Sequence, residues 1–137
     1  MALYTDYFGD VIHFHIQKNL TISDVPTFPR ISTQDLRVRL IEEETHEVIE
    51  AMRDSDLQGI AKELADLLYV TFGTAVAYGI DMDKVWEAVH HSNMTKAPAI
   101  DSYGGDKLLK SEGYIAPNIG AIIDDPQPLV HGSEVRI

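Results

Sequence analysis

Cysteine is absent from the 137-residue chain, which excludes disulfides, thiolate metal sites and cysteine nucleophiles and is compatible with a reducing cytosol. Basic residues are scarce: 11 lysines and arginines stand against 22 aspartates and glutamates, a formal net charge of −11. A surface of that sign disfavours the phosphate backbone of a nucleic acid as a partner. It suits a protein whose charge is partly offset by bound divalent cations. No stretch approaches the roughly 18 uninterrupted apolar residues of a membrane span. The opening Met1-Ala2-Leu3-Tyr4-Thr5-Asp6 has neither the basic region nor the apolar run of a secretory signal. Sustained period-two alternation is also missing, so no sizeable sheet is expected. The expectation is a soluble, cytoplasmic, all-α protein.

Hydrophobic residues make up 45% of the sequence, enough for one compact domain. The reading is a single domain over 1–137, with a helical core at about 6–96 and a loop-rich tail at 97–137. The first helix is expected from about Asp6 to Asn19, with Phe8, Val11, Ile12, Phe14 and His15 spaced to face a core. Pro26 and Pro29 bar regular structure in the loop that follows. Ser32 or Thr33 offers an N-cap, and Asp35 three residues after Ser32 approaches a capping box. A second helix then runs to about Arg53, with Leu36, Leu40, Ile41, Val48, Ile49 and Met52 as its apolar set. Asp54-Ser55-Asp56 punctuates. The third helix spans about Leu57 to Tyr78 and stops at Gly79; Asp81 can cap a fourth, roughly Met82 to Met94. Beyond Lys96, glycines and prolines make the tail mostly loop. Leu108, Leu109, Tyr114, Ile115, Ile119, Ile122 and Ile123 are its candidates for docking on the helices, and its last dozen residues are expected to be loose or to pair with another subunit.

The strongest chemical signal is acidic. Glu43-Glu44-x-x-Glu47 lies in the second helix and Glu63-x-x-Asp66 in the third, separated by residues 48 to 62. Positions three or four apart on a helix share a face at about 5–6 Å between Cβ atoms. A short connection folds the two stripes together, and five converging carboxylates repel one another unless cations neutralise them. Clustered hard oxygen ligands suit Mg²⁺ or Mn²⁺, which in turn hold substrate phosphates. Glutamate-rich helices are often merely solvated. Around the second cluster, however, Ile60, Ala61, Leu64, Ala65, Leu67, Leu68, Val70 and Phe72 leave few polar directions, which marks a largely buried helix. Buried carboxylates need partners or a metal.

Other residues fit a phosphate site. Asn93 and Lys96 close the fourth helix, and Lys107 and Lys110 lie in a glycine-bounded loop ahead of Tyr114. Lysines would neutralise the polyphosphate oxygens that magnesium leaves free. Tyr69 and Trp86 have the flat rings that stack a base, although such residues are more often core. A competing metal reading comes from Glu43-x-x-His46 and Glu87-x-x-His90, which match the Glu-x-x-His unit of di-iron bundles. That architecture needs a glutamate from each remaining helix, and the first helix has none.

Taken together, Glu43-Glu44-x-x-Glu47 and Glu63-x-x-Asp66 resemble the metal-binding signature of the all-α nucleoside triphosphate pyrophosphohydrolases, which include MazG-like enzymes, dimeric dUTPases and phosphoribosyl-ATP pyrophosphohydrolase. The stretch Glu63-Leu64-Ala65-Asp66-Leu67-Leu68-Tyr69-Val70-Thr71-Phe72-Gly73 is similar to small stand-alone MazG-like proteins. So are Asn93-Met94-Thr95-Lys96 and Lys107-Leu108-Leu109-Lys110-Ser111-Glu112-Gly113-Tyr114. The resemblance implies a four-helix core assembled as a homodimer or homotetramer, with two or three Mg²⁺ ions per site and Mn²⁺ as a substitute. It implies Glu43, Glu44, Glu47, Glu63 and Asp66 as metal ligands, with Glu43, Glu44 and Glu47 also serving catalysis. Asn93, Lys96, Lys107, Lys110 and Tyr114 would contact sugar or phosphate, and Tyr69 and His15 the base. The implied reaction converts a (d)NTP and water into a (d)NMP and pyrophosphate; the expected substrate is a deoxynucleotide, dGTP slightly ahead of dUTP, in nucleotide pool control. The alternatives are hydrolysis of phosphoribosyl-ATP, a non-catalytic nucleotide-binding role, and a di-iron bundle.

Overall fold

The structure, a computed structural model, describes residues 4–98, 108–131 and 134–135. The chain divides into two compact units, Met1–Asp81 with Pro126–Ile137, and Met82–Asp125. Helices dominate both, as the missing period-two patterning required. Among the described residues the only strands are two-residue ladders.

The first unit contains α1 (Tyr7–Gln17), α2 (Ile31–Arg53) and α3 (Leu57–Tyr78). Asp6 starts α1 by accepting a hydrogen bond from the Gly9 amide at 2.9 Å. The residues spaced to face inward do so: Phe8, Val11, Ile12 and His15 are buried and Phe14 is half-buried. Phe8 meets the Phe72 ring of α3 at a centroid separation of 6.0 Å. Burial of a side chain such as Ile12 is worth about 1.5–3 kcal/mol. Val48 and Ala51 of α2 and Ala75, Val76 and Ala77 of α3 complete the helical part of the core.

The Asp54-Ser55-Asp56 turn folds α3 back along α2, and this pair forms the most extensive helix packing in the unit. The Asp54 amide closes α2 on the Glu50 carbonyl at 2.9 Å, and Ser55 takes a left-handed φ of 54°. Asp56 then caps α3, accepting from the Gly59 amide at 3.0 Å. A Cβ at Gly59 would strike that capping carboxylate, which explains glycine in the first turn. At the far end, Gly79 ends α3 at φ 71°. The loop after α1 crosses this end: the Ser23 hydroxyl donates to the Ala77 carbonyl at 2.8 Å, and the Thr27 amide donates to Tyr78 at 2.9 Å.

Four details of the first unit differ from the sequence reading. α2 begins at Ile31 behind Arg30, with no side-chain cap from Ser32 or Thr33; Gln34 Nε2 instead donates to the Pro29 carbonyl at 2.6 Å. The inward stripe of α2 is Arg37, Leu40, Ile41, Glu44, Val48 and Ala51, so Leu36, Ile49 and Met52 are exposed. α3 is not buried all round: Leu57, Leu64, Leu68 and Tyr69 reach solvent on its outer side. The last dozen residues also contribute to the core, because Leu129 is 1% exposed and its amide donates to the Asp24 carbonyl at 3.0 Å.

The second unit holds α4 (Met82–Asn93) and α5 (Ile119–Asp124), the latter in a stretch expected to be loop. Asn118 caps α5, accepting from Ala121 at 3.1 Å. The tail docks on α4 through polar contacts: Ser92 Oγ donates to the Ile115 carbonyl at 2.6 Å, and the Ile115 amide donates to Thr95 Oγ1 at 2.8 Å.

Gly79→Ala tests the crossing loop. A Cβ at this positive φ would meet the Val25 carbonyl and lie 2.9 Å from the Ser23 carbonyl oxygen. Denaturant unfolding should show a loss of at least about 2 kcal/mol, beyond the usual cost of leaving glycine in a left-handed position.

Candidate metal centre and active site

The inward stripe of α2 and the facing side of α3 carry carboxylates where a core would carry hydrocarbon. Glu44, Glu63 and Asp66 each present an oxygen such that all three lie within 4.8 Å of one another. All three residues are half-buried, and Glu44 Oε2 and Glu63 Oε2 are enclosed with no hydrogen-bond partner. Buried acceptors without donors cost about 1–3 kcal/mol each, and more when charged. One cation sits beside them. Lys62 Nζ lies 2.8 Å from Asp66 Oδ2 and 3.3 Å from Glu63 Oε1. Those two hydrogen bonds push the Lys62 ammonium well above its usual pKa.

The remaining charge is unbalanced, and the titration of the cluster reflects it. Burial raises the Glu44 pKa, followed by repulsion from Asp66 and Glu63, with Lys62 opposing. Glu47 is raised chiefly by a hydrogen bond to Glu63, then by the charges of Glu63 and Glu44. The structure therefore brings together four of the five expected carboxylates. Glu43 lies on the exposed side of α2, near enough that its charge also raises Glu44.

This donor set fits a hard divalent cation. It is all oxygen, it converges within one coordination sphere, and it leaves two lone-pair-bearing oxygens unsatisfied. Glu44, Glu63 and Asp66 would hold the ion, with Glu47 at the edge of the set. The histidines do not join it. His46 pairs with Glu50 of its own helix at 3.1 Å on the surface, and Glu87 and His90 are exposed. The Glu-x-x-His units therefore build no metal centre among the described residues.

The other candidate residues divide by unit. Tyr69 stands edge-on to Phe14 at 5.2 Å and is 40% exposed; burial and then Asp10 raise its hydroxyl pKa. His15 is 3% exposed, with Nδ1 bound to the Thr21 carbonyl at 2.9 Å. Asn93, Lys96, Lys110 and Tyr114 belong to the second unit, where Lys110 Nζ lies 5.3 Å from the Tyr114 ring centroid. Lys107 falls outside the described residues. The sequence reading missed Lys62 and Arg37. Lys62 precedes Glu63 and stands four residues before Asp66, an i,i+4 pair that was there to be read. Arg37 sits at the head of the 37-41-44-48-51 stripe, but a charged residue gave no reason to be placed inside.

The comparisons with known proteins assign the chain that carries this helical hairpin and carboxylate cluster to the all-α nucleoside triphosphate pyrophosphohydrolase superfamily. The profile of phosphoribosyl-ATP pyrophosphohydrolase matches residues 13–93, and the chain belongs to that family. The match supports a pyrophosphohydrolase-type activity. An uncharacterized protein of Acanthamoeba polyphaga mimivirus is 37% identical over 51 residues, 37% of this chain. The match spans only 20% of that relative's length. Among the described residues no helix is long and apolar enough to cross a membrane.

Two measurements probe the cluster without substrate. Glu47→Gln should raise the melting temperature of the metal-free protein at pH 7.5, by removing one repelling charge. A carboxyl whose pKa is raised on folding contributes stability below its unfolded value and loses it as pH rises through the folded value. The gain should therefore shrink as pH falls towards the ordinary carboxylate range. Lys62→Met removes the cation that competes with a metal for Glu63 and Asp66. Calorimetric titration with Mn²⁺ should show several-fold tighter binding; weaker binding would mean that Lys62 positions the carboxylates instead.

Proposed function

We propose that this protein is a divalent-cation-dependent nucleotide pyrophosphohydrolase, acting over 1–137 as one catalytic domain. Its substrates are deoxynucleoside triphosphates, dGTP ahead of dUTP, in nucleotide pool control. The observation that carries the proposal is the trio Glu44, Glu63 and Asp66, with two enclosed oxygens and no donor to satisfy them. Magnesium bound there would neutralise phosphate oxygens and lower the pKa of a water. Glu47, with its raised pKa, is suited to accept a proton from the attacking water, and Glu43 to orient that water from the open side. The water oxygen bonds to the α- or β-phosphorus, that phosphorus's bond to the bridging oxygen between them breaks, and one water proton passes to the carboxylate; the bridging oxygen leaves on the pyrophosphate or the monophosphate respectively. Tyr69 offers a half-exposed ring for the base. Asn93, Lys96, Lys107, Lys110 and Tyr114 are the proposed sugar and phosphate contacts.

Phosphoribosyl-ATP is the rival substrate, favoured by the description of the matching family. It would use the same carboxylates and the same bond cleavage. Self-association is proposed on separate grounds. Leu36, Val38 and Met52 of α2 and Leu57, Leu64 and Leu68 of α3 are all more than 40% exposed in the single chain. Leu57, Leu64 and Leu68 fall on one stripe of α3; exposed apolar surface of this kind is normally covered, and a homodimer or homotetramer would cover it.

The test is product analysis with Mg²⁺ across dNTPs, NTPs, dUTP and phosphoribosyl-ATP, read as monophosphate and pyrophosphate. Asp66→Asn and Glu44→Gln should each lower kcat by at least about 100-fold, the scale expected when charge stabilisation at a reacting phosphate is lost, with circular dichroism unchanged. No turnover of any substrate by folded, metal-loaded wild type would sink the proposal.

A further inference from the structure

The first unit also holds a partly open cavity, mostly apolar in its lining, that the carboxylate cluster does not use. It measures about 290 Å³ and is lined by His15, Thr21, Thr33, Leu36, Arg37 and Leu40, among others. At about 30 Å³ per water, it has room for several waters or one small ligand. Arg37 is the only formal charge among the lining residues, and it is 7% exposed. Its Nε donates to Thr74 Oγ1 at 3.1 Å and its Nη2 to the Val70 carbonyl at 2.8 Å. Both acceptors are neutral. Among the described residues no carboxylate pairs with Arg37 and no hydrogen bond involves its Nη1.

An arginine does not discharge by losing its proton in a protein. A buried positive charge without a counter-charge is costly, and the fold has made specific room for it. A Cβ at Gly73 would lie 2.6 Å from Arg37 Nη2 and 3.0 Å from His15 Nε2, so only glycine lets the guanidinium and the imidazole sit where they do. His15 gives Nδ1–H to Thr21, and burial with the nearby Arg37 charge lowers its pKa. Thr21 and Thr33 place their hydroxyl oxygens 3.5 Å apart on the same wall.

We propose that this cavity is a binding site for a small phosphate-like oxyanion, held by Arg37 Nη1 and the hydroxyls of Thr21 and Thr33. Nε and one N–H of Nη2 are already committed, which leaves three guanidinium N–H groups. Together with two hydroxyls they offer more donors than the two oxygens of a planar carboxylate can use, and they suit a tetrahedral anion with several acceptors. Arg37 precedes Glu44 by seven residues, about 10 Å along the α2 axis, so this anion is not one held at the proposed metal centre. The inference stands whether or not the protein hydrolyses nucleotides.

The experiment is a titration of the full chain, stripped of metal and kept with chelator, followed by ¹H–¹⁵N spectra that resolve the Arg37 Nε–H. Inorganic phosphate is the probe, acetate tests the carboxylate source, and sodium chloride controls for ionic strength. Phosphate should shift the Arg37 Nε–H and the Thr21 and Thr33 amides along one saturating curve, with acetate at least about tenfold weaker. Thr33→Val, which keeps the shape, should weaken phosphate by roughly tenfold, the scale of one hydrogen bond to a charged ligand. Arg37→Met should abolish it. Glu44→Gln should leave it unchanged, which separates this site from the carboxylate cluster. A phosphate titration that leaves the Arg37 resonance in place would overturn the proposal. So would an equal response in Thr33→Val, or acetate binding as tightly as phosphate.

Discussion

Mutual repulsion among Glu44, Glu47, Glu63 and Asp66 is the constraint around which the first unit is arranged. Two helices pack along most of their length, yet the middle of their interface carries negative charge where hydrocarbon would be more stable. Hydrophobic contact must hold the pair at both ends. Val48 and Ala51 do so beside the turn, and Ala75, Val76 and Ala77 do so towards the far end, where α1 and Leu129 join them. The charged segment is held in place by its neighbours rather than by its own contacts. Lys62 relieves part of the repulsion, but a monovalent ammonium on one side cannot reach the enclosed oxygens of Glu44 and Glu63.

Much of this was legible in the sequence because the relevant signals are local. Gly79 ends α3 and Asp56 starts it through backbone conformation and a three-residue hydrogen bond, both encoded within one turn of chain. The carboxylates were legible for the same reason, since i,i+3 and i,i+4 spacing assigns them to shared faces and the short turn forces those faces together. The misplaced α2 stripe has the opposite cause. Leu36, Ile49 and Met52 are apolar and helically spaced, so periodicity alone puts them inward. The structure rotates the helix by about one residue to admit Arg37 and Glu44, whose burial depends on partners in α3. Leu129 was equally hidden, because the two apolar residues Leu129-Val130 between Pro128 and His131 are too few to show a period.

The same rotation links the two polar features of the unit. Arg37 and Glu44 occupy one stripe of α2, one held by the Val70 carbonyl and Thr74, the other facing Glu63 and Asp66. Their charges are opposite, but about two turns of helix separate them, so neither neutralises the other. A stripe that seats both a cation and an anion inside leaves the apolar side chains of α2 facing outward. The exposed hydrocarbon and the buried charge are consequences of a single choice of helix rotation.

The Asp54-Ser55-Asp56 connection makes the hairpin a ruler. Each helical residue advances the chain by about 100° around its axis. One residue gained or lost between Glu47 and the turn, or between the turn and Glu63, would swing a carboxylate off the common face and dissolve the set. The loop between α1 and α2 bears no such burden, since it positions none of these oxygens. Tolerance to changes in length should therefore be nearly absent from Glu44 to Asp66, whereas in the loop before Ile31 it is limited only by the hydrogen bonds that tie Ser23, Asp24 and Thr27 to the end of α3 and to Leu129.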